Sequence, residues 1–373
     1  SFLSISFILW LHHSAEGFYY LLNCSLFFFF HQVMIVPLST FNSSHYPPKG
    51  HWLTVWFLVL LGLVVFMSYW EKNIRSTGWV PSIVDSKELW SKQRLRVSSL
   101  GDKALVFIGA SRTQLGIDLN EVKRLASYEP VQLAIDGTSF MPVLDDLAKD
   151  GDVIGKIIVS VTINNIKSNY ETEVSSEWVK YSRNRHNKIE PYKVIDNIIR
   201  SYLDSNLAIR FEGARPFSVI YNRMLKNNIA GSYLTTNRDR SRDADYSKVK
   251  LPDFYLRRLQ RHYGSDLVKD KKSLTADEVI KLYEQKIPTI ESSDDKAFLE
   301  GLTLLIENIR KIEQRGGEVI LVRFPTDKLI WKIDEKRYPR NLYWNKLEDA
   351  HEKTVHFSDY IELSGFNLPD GSD

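Results

Sequence analysis

The distribution of apolar and polar positions changes character twice along the chain. From Trp52 to Trp70, "WLTVWFLVLLGLVVFMSYW" holds no charged residue, and at ~1.5 Å per helical residue it nearly crosses a hydrocarbon core of ~30 Å. The pattern predicts a single transmembrane helix over 51–70. Trp52, Trp56, Tyr69 and Trp70 gather toward its two ends, where amphipathic rings favour the headgroup layer. A buried core helix of this length would normally keep a polar face. Over 71–100 the chain turns polar, and "DSKELWSKQRLRVSSL" at 85–100 predicts a short connecting helix that lifts a domain off the bilayer. After Leu100 come short continuous apolar runs, "ALVFIGAS", "VQLAIDGTS", "GKIIVSVTINN" and "GGEVILVRFP", each closing on Gly, Pro or a polar residue. Each reads as a strand buried on both faces and followed by a polar loop.

Helical periodicity fills the gaps, from Leu119 to Ser127, from Pro142 to Lys149 and from Asp294 to Arg315. The last carries Phe298, Leu302, Leu305, Ile309 and Ile312 on one stripe, with Gly316 as its stop. Alternating strands and helices predict an α/β domain over 101–373, a parallel sheet with helices on both faces in a three-layer, doubly wound arrangement. Ligands bind such sheets at the carboxyl ends of the strands. The stretch 167–288 breaks the alternation and reads as a largely helical insertion between the third and fourth strands. Its charge-dense part carries Arg238, Arg240, Arg242, Arg257, Arg258 and Arg261 interleaved with Asp239, Asp243 and Asp245. That mixture reads as a solvated face, with a site for an anionic polymer as the alternative.

Composition narrows the function. The 49 basic and 46 acidic residues are well mixed and leave a net charge of +3, too balanced to imply nucleic acid as a partner. Cys24 is the single cysteine, which rules out an intrachain disulfide and a Cys-based zinc site. No cofactor or metal is expected. Residues 1–33 hold apolar runs interrupted by His12, His13 and Glu16; they fit no clean signal peptide and read as upstream sequence ahead of a start at Met34. Both ends of the chain read as fragment ends. Lys49 precedes the apolar helix, and Lys72 and Arg75 follow it, a small bias toward a cytoplasmic C-terminal side.

The candidate chemistry begins at "GASRTQLG", 109–116. A serine between a buried strand and a helix stands where backbone N–H groups converge, which suits either a nucleophile or a simple N-cap. Neither a Gly-x-Ser-x-Gly elbow nor a Gly-x-Gly-x-x-Gly fingerprint is present, since Thr113 and Ser111 occupy the positions of the required second glycines. Gly137 after the second strand, Asn164 or Asn165 after the third, and Asp370 in "LPDGSD" follow in order. His186, His262, His351 and His356 read as structural or surface residues, none standing where a base for Ser111 is expected.

The succession Gly-x-Ser-Arg, Asp-Gly-x-Ser, an amide, and Leu-Pro-Asp-Gly-Ser resembles the SGNH/GDSL hydrolase family. It is most similar to membrane-anchored bacterial members tied to cell-surface polysaccharide and acetyl transfer, and covers about 100–166 and 316–373. The resemblance implies an SGNH/flavodoxin-like sheet, Ser111 as nucleophile and first oxyanion donor, Gly137 as second donor, Asn164 as third and Asp370 as triad acid. The family's Gly-x-Asn-Asp block reads "VTINNI" here. The family's His follows the acid by about three residues, where this chain has Asp373. Either the His comes later, or Asp373 replaces it, or Asp373 is itself the acid. The implied activity is an esterase or O-acyltransferase on envelope carbohydrate, with the domain outside the cytoplasm. A catalytically inactive module that binds carbohydrate or scaffolds polysaccharide assembly is the alternative.

Overall fold

The computed structural model describes residues 52–185, 191–225, 231–248 and 295–364, with isolated helical positions at 278, 281, 284 and 285. The chain divides into two compact units, residues 1–67 and 68–373. Helix α1 (Trp52–Ser76) supplies the described part of the first unit and runs six residues past Trp70. Its apolar window has a mean hydropathy of 2.1 and no buried residue, so α1 is long and apolar enough to cross a membrane. The extension has a local cause, because Ile74 is buried within the second unit and Glu71 and Arg75 form an i,i+4 ion pair.

Helix α2 (Lys87–Leu100) forms where a connector was expected, but it belongs to the core of the domain. The Ser86 side chain caps its first turn and Gly101, at φ +58°, ends it. Trp90 and Val97 are fully buried. Trp90 Nε1 donates to the Leu133 carbonyl at 2.9 Å, and Arg94 pairs with Asp146 at 2.5 Å and with Asp150 at 2.9 Å. Read from sequence alone, those scattered apolar residues lacked the partner that explains them.

The sheet is built from β1 (Ala104–Ile108), β2 (Glu129–Gln132), β3 (Lys156–Ser160), β6 (Glu318–Arg323) and β7 (Thr354–His356). Between β1 and β2 lie α3 (Ser111–Gly116) and α4 (Leu119–Leu125), and α5 (Met141–Lys149) joins β2 to β3. Helix α9 (Lys296–Glu313) precedes β6, and α10 (Lys328–Arg337) and α11 (Trp344–Ala350) precede β7, after which comes the short α12 (Ile361–Ser364). The spatial order is β2-β1-β3-β6-β7 and every neighbouring pair is parallel. The fold is therefore a parallel α/β sheet. Side chains alternate across it: Val106, Ile108, Ile157, Val159, Val319 and Leu321 join the main core with α5 and α9, whereas Leu105 and Phe107 pack with Leu119 of α4. β7 was not foreseen, since three residues flanked by polar positions are too few to show a period.

The insertion between β3 and β6 contains α6 (Val174–Arg185), α7 (Pro191–Asn206) and α8 (Pro216–Met224), as expected, and also an antiparallel hairpin, β4 (Leu234–Thr236) with β5 (Arg242–Ala244). The hairpin overturns the solvated reading of part of the arginine run. Arg240 is fully buried, at φ +70°. Its position follows from the edge of the sheet. Leu133 and Ile135 donate to Phe107 and Gly109 of the β1 segment, which turns the carbonyls of Gln132 and Ala134 outward, where the open edge of β2 offers no strand to pair them. Arg240 donates to both at 2.9 Å and to Asp85 through Nε at 2.7 Å and Nη2 at 2.9 Å. Arg242 bridges Asp85 and Asp136. These arginines close the sheet edge. Arg257, Arg258 and Arg261 lie outside the described residues.

Candidate functional site

The turn after β1 is set by Gly109. A Cβ there would lie 2.2 Å from Thr113 Oγ1 and 2.7 Å from Ser160 Cβ, so glycine alone lets the end of β1 pass close to the end of β3 and enter α3. Ala110 takes the cap position at φ −113°, with no side-chain bond, and its carbonyl accepts from Thr113 N at 3.1 Å. Ser111 is consequently the first helical residue and not the N-cap, which removes the structural role that its sequence position allowed. It is half-buried, and among the described residues no group hydrogen-bonds its hydroxyl.

Gly137 follows β2 in an Asp-Gly turn at φ +68° with open space where a Cβ would point; backbone conformation, not crowding, calls for glycine. The next two residues are tied down by a polar cluster that sequence reading missed. Glu173 accepts from Thr138 Oγ1 at 3.0 Å and from Ser139 N at 3.1 Å, while Lys167 donates to it at 2.7 Å. Burial pushes the Glu173 carboxyl up, but Lys167, the Ser139 N–H and Thr138 together hold it below the usual range. Ser139 Oγ donates to the Asn165 carbonyl at 2.5 Å, and Ser175 Oγ to the Ser139 carbonyl at 2.7 Å. The loops after β2 and β3 are thus bonded to each other. Only the partner positions, about thirty residues downstream, make this legible, and no local motif signals it.

Asn164 sits in the 3-10 turn Ile163–Asn165 after β3. It is exposed, whereas Asn165 is half-buried with its carbonyl engaged by Ser139. Of the two candidate amides, Asn164 is the one turned to solvent. Because β2, β1 and β3 are neighbours in that order, Gly137, Ser111 and Asn164 stand on adjacent loops at one carboxyl rim. The strand order reverses between β1 and β3, the position where open parallel sheets bind ligands. Asp370 and Asp373 lie outside the described residues, as do His186 and His262.

A second feature of the rim is a depression over the ends of β3, β6 and β7, lined by Asn164, Arg323, Trp331, Arg340, Trp344 and His356 among others. His356 is 2% exposed. Its Nδ1 accepts from Ser358 N at 3.2 Å and contacts Ser358 Oγ at 2.8 Å, and its ring meets Trp344 and Trp331 edge-on at 4.9 and 5.3 Å. Burial, with Arg340 and Arg323 adding to it, pulls the imidazole down to about 4. β7 is three strand positions from β1, roughly 14 Å at ~4.8 Å per strand, so His356 is out of reach of Ser111. His351 is held inside by Val319 O at 2.9 Å from its Nε2.

No family model and no curated protein matches this chain. Among the described residues no three His, Cys, Asp or Glu side chains gather as metal ligands. The rim thus sets a hydroxyl free of capping between a glycine turn and a solvent-facing amide, on three adjacent loops.

Proposed function

We propose that this protein is a membrane-anchored, SGNH-like serine esterase or O-acyltransferase acting on acyl groups of a cell-envelope polysaccharide. The observation that carries the reading is Ser111: a serine relieved of capping, at the carboxyl end of β1 beside the reversal in strand order, with Gly137 and Asn164 on the two neighbouring loops. The strand order and the core on either side of the sheet support a three-layer SGNH arrangement.

In this reading a His base, oriented by Asp370 or Asp373, takes the Ser111 proton. Ser111 Oγ attacks the ester carbonyl carbon, the N–H groups of Ser111 and Gly137 and the Asn164 amide hold the oxyanion, and the C–O bond to the sugar breaks as the His returns the proton to the departing oxygen. Water or a second sugar hydroxyl then takes the acyl group from the serine. The substrate rests on fold-level analogy, and it places the domain on the extracytoplasmic side, against the small charge bias around α1. A topology reporter fused after Asp373 that is active only in the cytoplasm refutes that side.

The direct test is labelling of the full-length protein with a serine-reactive fluorophosphonate. Labelling lost in Ser111→Ala supports the enzyme. Absence of labelling in a protein that still binds an envelope glycan supports the inactive binding module, the reading favoured by Asp373 at the expected His position.

A further inference from the structure

The insertion presents large apolar side chains to solvent in two repeats of one spacing. On α7, Ile195, Ile198, Ile199 and Tyr202 follow at i, i+3, i+4 and i+7 and are 54 to 62% exposed. On α8, Phe217, Ile220, Tyr221 and Met224 repeat that spacing and are 49 to 78% exposed. Such stripes normally face a core, and contiguous exposed apolar surface on this scale marks an interaction site. Each helix does have a buried side, where Asp204 of α7 and Val219 of α8 lie. The exposed stripes are therefore additional to the packing that holds the helices in place.

What covers them is indicated by where the two helices are tied. The carbonyl of Asn206, the last residue of α7, accepts from Arg75 Nη2 at 2.7 Å. Glu71 accepts from Ala208 N at 2.8 Å and Ile209 N at 2.9 Å. Trp70 Nε1 donates to the Ala214 carbonyl at 3.1 Å, two residues before α8 begins. Ile74, Trp79, Ala208, Ala214 and Val219 share one small core. Trp70 closes the charge-free run of α1, so residues 70–75 stand where a membrane span leaves hydrocarbon for the headgroup layer. The end of α7 and the start of α8 are bonded to that level. Arg200, paired with Asp196 at 3.4 Å, and Arg223 give the two helices polar positions away from the stripes, as amphipathic helices at an interface carry.

We propose that α7 and α8 lie in the membrane interface, with their apolar stripes immersed in lipid, and form a second membrane-binding element. The proposal rests on α1 crossing a bilayer, and the test separates the two. The full chain carrying Cys24→Ser is placed in phosphatidylcholine/phosphatidylglycerol vesicles with a spin label at one introduced cysteine: Ile199→Cys, Met224→Cys, Leu61→Cys on α1, or Leu125→Cys on α4, where Leu125 is 71% exposed. The expected result is oxygen accessibility, relative to a water-soluble nickel chelate, several-fold higher at 199, 224 and 61 than at 125. Labels at 199 and 224 that behave like 125, while 61 reads as lipid-exposed, overturn the proposal and leave the span intact. A water-exposed label at 61 removes the span and the proposal with it. Dipolar broadening between labels on two copies at 199 or 224 assigns the stripes to a second copy of the chain and also overturns it.

Discussion

Exchanging Asp85 for Ala should destabilise the domain more than exchanging Arg240 for Met, although the two residues form one ion pair. Arg240 is fully buried and the Asp85 side chain is 9% exposed. Removing one partner of such a pair costs ~3–5 kcal/mol, because the other charge is left desolvated. The two losses differ in what remains. Without Arg240, Asp85 keeps Gln114 Nε2 at 3.0 Å and Arg242 at 3.2 Å, and the Ala134 carbonyl keeps Gln114 at 3.2 Å; only the Gln132 carbonyl loses its guanidinium outright. The cost then sits near ~3 kcal/mol. Without Asp85, a guanidinium that cannot shed its proton stays buried against two carbonyls and the Trp178 ring, and the cost moves toward ~5 kcal/mol. The double variant Asp85→Leu with Arg240→Met should cost less than the sum, since no isolated charge remains. Urea unfolding of the full chain in mild detergent, followed by tryptophan fluorescence, measures all three; urea leaves the ion pair unscreened. Single-variant losses below ~1 kcal/mol, or strict additivity, would refute the view that Arg240 closes the sheet edge.

Further predictions follow from other parts of the fold. With His356 at about 4 in the folded chain against 6.5 unfolded, the unfolded chain binds the extra proton between those values. Stability should therefore be complete above pH 6.5, fall by ~2–3 kcal/mol as pH drops toward 4, and level off below it; His356→Phe should flatten that part of the curve in parallel melts. Gly109→Ala forces a methyl group onto Thr113 and Ser160 and should cost ~1–3 kcal/mol, seen as a lowered urea midpoint. Ser111→Ala should change stability by less than ~0.5 kcal/mol, because the hydroxyl carries no bond among the described residues, while abolishing fluorophosphonate labelling; a large stability loss would return Ser111 to a structural role. If the acyl-transfer reading holds, Asn164→Ala should lower turnover by ~10²–10³ with little effect on folding, checked by ester hydrolysis kinetics beside a thermal melt.

What the chain determines by itself is what nearest neighbours in sequence dictate. The charge-free run of α1, the continuous apolar runs of β1, β3 and β6, and the stripe on α9 are each long enough to declare an element, and each forms where its pattern lies, α1 running six residues further. Gly137 marks a turn because backbone conformation is a local demand, whereas Gly109 also answers to Ser160 at the end of β3. Three matters were decided only by tertiary structure. β7 exists because β6 offers it an edge, not because three residues favour a strand. Helix α2 is core instead of spacer because Trp90 and Arg94 find Leu133 and Asp146, some forty to fifty residues away. Arg240, in a run whose alternating charges suit solvent, is buried because the outward carbonyls of an edge strand need donors and Asp85 balances its charge. Ser111 falls on both sides of this line: the strand-to-helix turn was legible, but its freedom from capping appeared only once Ala110 was seen to hold the cap. Local pattern records which faces must be buried, whereas the identity of the partner across a fold depends on contacts that sequence separation does not encode.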